Sequence, residues 1–510
     1  MASSGGSDAT SSTSAPLVAT EGRRTRHGGP TRPANTRGIT HDRIEMQRRG
    51  RKIEMYRNFR ALQTISFASG IIGTWEILLA AGGPGLQNGG LAGVMYSTLW
   101  TYIGQLFVSL SLAELASMAP TSAAHWHWQS VNAAYCYIIA GSIQELIQLN
   151  NPGYVQKNWH MTLLIIAATL VASFIRILYS NHLSLLEGIY CVLHVYALVP
   201  LALTLWVLAP DGSWEGVFTN FHNGGGWPST WLSVFAGQTT SIFVWLGSDS
   251  VAHLSEEVQD AAHILPPAIV AGYLINGPLG FALAVTIGFC YPNIETAPQT
   301  TWPYIWLFDK ALRDPAVTTA FICVVLTLLA MKALSVRAVN TRVTLALARD
   351  HALPFSQWLR QADSRLKSPV RSAIVTGFFT ILLSLLTLCG SVRMAFQSVL
   401  CLANAALTGT YVVCVACILL KRIRRQPLPY AYWSLGRAGV AVNSLGLGYA
   451  IWAFFWSLWP ADYVVTVENM NWAPVLLGVG MILACVSYAD GVGSRYQGPR
   501  REGSGDENEQ

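Results

Sequence analysis

Uninterrupted apolar runs, most of them near twenty residues long, recur about a dozen times between residues 62 and 488. About 20 apolar residues in a helix cross the roughly 30 Å hydrocarbon layer, and a helix satisfies its own backbone N–H and C=O groups there. The runs are solid blocks, not periodic stripes. They fall at 62–81, 91–112, 133–149, 161–178, 188–208, within 231–267, then at 268–290, 316–339, 373–389, 394–420, 440–458 and 473–488. Only 12% of the chain is charged and 52% is hydrophobic, where soluble proteins carry about a quarter charged residues. The chain therefore reads as an all-α integral membrane protein, with a polytopic domain of about twelve spans over 58–490. Residues 1–57, rich in Ser, Thr, Gly and Arg, and the polar 491–510 have nothing to pack and read as disordered tails. No apolar segment precedes about residue 60, so no signal peptide is expected.

Charge orients the spans. Arg342, Arg349, Arg360, Arg365, Lys367 and Arg371 lie between the eighth and ninth blocks, and Lys421, Arg422, Arg424 and Arg425 between the tenth and eleventh. Arg495, Arg500 and Arg501 follow the last block, whereas 209–230 and 460–472 contain acids and no Lys or Arg. Basic loops stay in the cytoplasm, so both termini are expected there and the number of crossings is even. The net charge of +6 sits in loops and tails and gives no reason to expect a nucleic-acid partner. Nine cysteines, nearly all inside apolar blocks, make no disulfide or zinc framework, and Cys414 and Cys417 read as packing. Neither metal nor cofactor is expected. The third block has only about eleven apolar residues before Gln144 and Glu145. Its length argues against a crossing, but the parity of the later loops demands one, so a short, strained crossing is expected.

Two blocks carry interruptions. The first contains GIIGTWE, with Gly70, Gly73 and Glu76; the sixth contains VWLGSDSVAHLSEE, where Gly247-Ser248 precedes Asp249, His253, Glu256 and Glu257. Glycine is a poor helix former. Irregular backbone at membrane depth survives only against protein or a watery cavity. Ionisable side chains there usually mark a transport path. Interrupted helices in corresponding places of two halves point to a site built on inverted repeats. Free N–H groups at one half-helix attract a carboxylate, and free C=O groups at the other attract a cation.

Six ordered segments resemble a known family. AELASMAPTSAAHWHW, QLNNPGYVQKNWH, GSDSVAHLSEEVQDAAHILPPAI, RVTLALARDHALPFSQWL, PYAYWSLGRAGVAVN and TVENMNWAPV are similar to motifs of the amino acid–polyamine–organocation superfamily. Within it they resemble the fungal amino acid, GABA and choline permeases, over about residues 55 to 490. The resemblance implies the fold of the bacterial leucine transporter: two inverted five-helix repeats plus two extra helices. The chain departs from the family pattern at Ala123-Ala124, where Gly-Gly is usual, at Glu145, and near residues 129–134, where some 25 residues are missing. A shortened third helix follows from that gap.

By the same resemblance the substrate lies between the two interruptions, at Ile72, Gly73, Thr74, Trp75 and Glu76, and at Trp245, Leu246, Gly247, Ser248 and Asp249. Gly73 and Gly247 would let main chain approach the ligand, and Thr74 and Ser248 would hydrogen-bond it. Trp75 and Trp245 would face a cationic headgroup, and Glu76 and Asp249 would meet an amine or a proton. Plainer readings stand beside these. Gly70 and Gly73 are also close-packing positions, and Trp75 also suits a core. Glu256 and Glu257 suit ion pairs with arginines of the 340s, and hence gating, better than substrate. His253 is a packing histidine or a proton relay. Lys332, in the eighth block, either replaces a bound sodium ion or snorkels to the interface.

The expected activity is secondary active transport of a small amine-bearing solute (amino acid, GABA or choline) by alternating access, with a co-transported proton. The lipid bilayer, in the plasma membrane or an organelle such as the vacuole, is the other partner. The alternatives are a family member that has lost transport and acts as a sensor, or a membrane acyltransferase using His125 and His127. No acid accompanies those histidines, so no enzyme is expected.

Overall fold

The computed structural model describes residues 59–119, 128–178, 182–209, 214–291, 300–361 and 369–496. The N-terminal tail, His125, His127 and everything after Tyr496 lie outside the described residues. Among the described residues, ten helices are long and apolar enough to cross a membrane: Ala61–Ala80 (interrupted at Gly73), Gly90–Met118, Asn158–Leu178, Ser184–Leu208, Ala261–Cys290, Pro315–Arg349, Val370–Cys389, Val392–Ile423, Gly436–Ser457 and Ala473–Arg495. The last continues five residues past the expected domain end at 490.

Two further elements complete the twelve expected blocks. One is the broken sixth, in which Thr230–Gly237 and Thr239–Val244 are α-helical and Ser250–Leu254 is a 3-10 turn. The other is Trp128–Asn150, a helix of 23 residues, about 34 Å long at 1.5 Å per residue. The helix is longer than the apolar block from which a short crossing is expected, because polar residues extend it at both ends. They are tolerated because protein surrounds them. Seventeen of the 23 residues are buried. Asn132 Nδ2 donates to Thr380 Oγ1 at 2.8 Å, Tyr137 OH to the Leu383 carbonyl at 2.8 Å, and Tyr304 OH to Ser142 Oγ at 2.7 Å. The twelfth span is the opposite case, with none of its apolar window buried inside the protein.

In chain order, the pattern of packing between spans repeats under a shift of five. The first packs on the fifth as the sixth packs on the tenth, and the third on the fourth as the eighth on the ninth. The third lies against the ninth as the eighth lies against the fourth, and the second meets the seventh, the third the eighth and the fourth the ninth. The eleventh covers the second and tenth from outside this set. The first, third, sixth and eighth spans are thereby central.

Candidate functional site

The first span stops being helical at Gly73, whose φ of 34° and ψ of 65° are left-handed. Ala61–Ile72 ends there and Thr74–Ala80 begins. A side chain on Gly73 would come within 2.7 Å of Lys332 Nζ and 2.8 Å of the Tyr190 hydroxyl, so glycine is required by space as well as by conformation. Gly70 is a close-packing position, with the Tyr190 ring 2.8 Å from where its Cβ would sit.

A helix leaves its last carbonyls and first amides without intrahelical partners, and both sets are met here by side chains. Lys332 Nζ donates to the carbonyls of Ile72 at 2.7 Å and Gly73 at 2.8 Å. The ammonium is fully buried and lies 5.3 Å from the centre of the Tyr135 ring. Lys332 does not snorkel; it places a positive charge on the negative end of the half-helix. Asn276, from the seventh span, bridges the gap itself. Its Oδ1 accepts from the Thr74 N–H at 3.0 Å, and its Nδ2 donates to the Ser69 carbonyl at 2.9 Å. The Thr74 hydroxyl donates to the Asn276 carbonyl at 3.0 Å.

Beyond the break, Glu76 is completely buried against the fifth span. Its Oε1 lies 2.7 Å from His194 Nδ1 and accepts from Tyr190 OH at 3.4 Å. Trp75 stacks on His194 and donates its indole N–H to the His194 carbonyl at 2.8 Å.

The second interruption runs from Trp245 to Asp249, with Gly247 at φ 109°. Past it the chain does not regain α-helix. It forms the 3-10 turn Ser250–Leu254 and further turns before Ala261, so Asp249, His253, Glu256 and Glu257 are not on successive turns of one α-helix. Asp249 is held from three sides. Tyr411 OH donates to its Oδ1 at 2.6 Å, while Trp128 Nε1 and His253 Nε2 lie 3.2 Å and 3.0 Å from its Oδ2. Trp245 packs on Tyr102 and Tyr273 and donates to the Thr98 carbonyl at 3.2 Å. Ser248 is buried, and its hydroxyl has no hydrogen-bond partner among the described residues; the same holds for Glu76 Oε2.

The two interruptions touch. A Cβ on Gly247 would be 3.1 Å from the Ile71 side chain, and one on Gly280 would be 3.0 Å from both Thr74 and Trp245. The two interruptions therefore lie side by side at Ile71 and Thr74 of one and Trp245 and Gly247 of the other, with Glu76 turned to the fifth span and Asp249 to the third and tenth. Sequence reading missed Asn276, Tyr190, His194, Tyr411 and Trp128. His194 carried a signal, as an ionisable group inside an apolar block.

One end of this region is shut. Arg342 pairs with Glu257 through two nitrogens, Nη2 to Oε2 at 2.8 Å and Nε to Oε1, and Arg349 Nη1 meets Glu256 Oε2 at 2.8 Å. Both glutamates thus find arginines of the 340s. The Phe59 N–H donates to the Glu257 carbonyl at 3.1 Å and the Gln259 N–H to the Phe59 carbonyl at 3.0 Å. The void left among these residues is about 10 Å³, no more than one water needs. Beyond the second half-helix, at the other end, a cavity of about 310 Å³ is lined by Gln87, Arg393, Gln397 and Asp462 among others.

The profile of the family described as amino acid permease matches residues 59–482. The chain belongs to the amino acid permease family. This permease is 26% identical over 477 residues to amino-acid permease 2 of Neurospora crassa, covering 87% of this chain and 86% of that one. It is 24% identical over 494 residues to an amino-acid permease of Arabidopsis thaliana, covering 87% and 93%. It is 21% identical over 457 residues to the choline transporter of Saccharomyces cerevisiae, covering 84% and 80%. Members of this family are transporters rather than enzymes, and the relatives handle amino acids or an organic cation.

Proposed function

We propose that this permease is a secondary active carrier of a small amine-bearing solute (an amino acid, GABA or choline) that works by alternating access and is coupled to protons. The observation that carries the reading is the pair of interrupted helices pressed together at Ile71 and Gly247, with Ser248 Oγ and Glu76 Oε2 buried beside them without partners among the described residues. Broken helices can present main-chain groups to a zwitterion or cation; Lys332 and Asn276 already take those of the first break, which leaves this role to the break at Gly247. The repeat of packing under a shift of five supports two inverted five-helix halves.

Lys332 supports protons as the coupling ion. Its ammonium already sits on the carbonyls of Ile72 and Gly73, a position that would otherwise attract a metal cation. Glu76, with His194 at 2.7 Å, and Asp249, with His253 at 3.0 Å, are the acid–histidine pairs suited to exchanging the proton. The basic loops argue for cytoplasmic termini. With that orientation the ion pairs of Glu256 and Glu257 close the cytoplasmic side, and the cavity of about 310 Å³ opens outward. The plasma membrane is the proposed site, an organelle the alternative.

Uptake of labelled amino acids, GABA and choline into cells lacking their own permeases tests this. The expected result is accumulation of at least one, abolished by a protonophore and unchanged when potassium replaces sodium. No accumulation of any favours the sensor, and a sodium requirement sinks the coupling assignment.

A further inference from the structure

The cavity of about 310 Å³ contains an ion pair set apart from the helix breaks. Gln87, at the end of the short helix Gly83–Gln87, joins Arg393 to Asp462. Arg393 Nη2 donates to Gln87 Oε1, Gln87 Nε2 donates to Asp462 Oδ1 at 3.3 Å, and Arg393 stands 3.7 Å from Asp462. The three residues come from separate parts of the chain: the connection after the first span, the start of the tenth, and the loop after the eleventh. Arg393 is the second residue of Val392–Ile423, where a cation opposes the helix dipole. Helix stability is therefore no reason for it to be there. The ion pair is long and its arginine is 40% exposed, so water or a ligand can replace either half at little cost.

A second hollow adjoins this one through Thr300 and Thr301. It is about 530 Å³ and carries Glu145 and Asp309, with no Lys or Arg in its described lining. Such a hollow draws in any organic cation. Arg393 offers a fork that suits a carboxylate, a group that a quaternary ammonium alcohol lacks. The cavity's 310 Å³ is at the lower edge of small-molecule pockets, about 300–1,000 Å³.

We propose that the cavity between Arg393 and Asp462 is a first binding site for zwitterionic amino acids, ahead of the central site, and that it selects them over choline. This rests on the carrier reading. The substrate carboxylate takes the guanidinium of Arg393 and its ammonium takes the Asp462 carboxylate, each displacing Gln87. Because Gln87 closes the segment that follows the first broken span, its release passes occupancy of the outer site to that span.

The test uses purified full-length protein and reads thermal stabilisation by each of the twenty amino acids, GABA and choline at millimolar concentration. Gly73→Val disables the central break, where the new side chain would strike Lys332 and Tyr190. At least one amino acid is expected to stabilise both wild type and Gly73→Val. Adding Arg393→Gln to Gly73→Val should weaken that binding at least tenfold, while Arg393→Lys retains part of it and keeps the fold under control. Loss of all amino-acid stabilisation in a Gly73→Val protein that still melts cooperatively, its survival with Arg393→Gln, equal stabilisation of Gly73→Val by choline, or no amino acid binding even to wild type would each overturn the proposal. Uptake in cells is read separately, so a carrier without this site is told apart from a protein that carries nothing.

Discussion

At the scale of single residues, Lys332 is the most informative side chain. A lysine in an apolar block was visible in the sequence, together with both of its readings. Only coordinates could choose, because its carbonyl partners are about 260 positions away. Replacing it with methionine leaves two buried carbonyls unpaired, at roughly 1–3 kcal/mol each. The expected effect is at least a tenfold fall in uptake. If the ammonium stands where a metal cation would otherwise sit, Lys332→Ala should regain part of its activity with sodium present. Equal uptake by Lys332→Met and wild type would remove the lysine from the transport cycle. Trp75 teaches the reverse lesson. Its place beside a break suggested a ligand face, yet His194 takes its indole N–H, a partner supplied by a span that no local pattern could align with the first.

At the scale of elements, the interruptions were legible because glycine and acids punctuate otherwise solid apolar runs. What replaces the helix there was not. The sixth span's turn and 3-10 geometry after Asp249 follows from neighbours such as Tyr411 and Trp128, which lie elsewhere in the chain. The third block's helix outruns its apolar stretch for a related reason. Apolarity measures contact with lipid, and this helix is wrapped in protein. Asn276 is the element-scale counterpart of Lys332, since one side chain splices the two halves of the first span. Asn276→Ala strands the Thr74 amide and takes the second donor from the Ser69 carbonyl, which keeps the Gly73 N–H. We expect a lower melting temperature and about a tenfold rise in the KM for uptake. Asn276→Asp, which keeps the acceptor and loses the donor, should fall between. An unchanged KM in both variants would show that the splice is dispensable.

At the scale of the whole molecule, the same side that loop charge marked as basic is the side the ion pairs close. Breaking a largely buried pair such as Arg342–Glu257 costs about 3–5 kcal/mol, enough to tilt a balance between two conformations. Glu257→Arg or Arg342→Glu alone should raise the labelling of a single cysteine placed at buried Ser255 at least tenfold, with reagent applied from the basic side. The double exchange should restore slow labelling. Labelling rates that ignore the charge reversals would mean that the pair does not hold this end shut. The clasp between Phe59 and the 257–259 segment answers to different rules. Its bonds run from peptide group to peptide group, so they are blind to side-chain identity and little affected by ionic strength. In the proposed alternating-access cycle, opening this end is a two-lock affair: salt or mutation would spring the charged lock, but the peptide lock would yield only when the chain ahead of the first span is drawn bodily away.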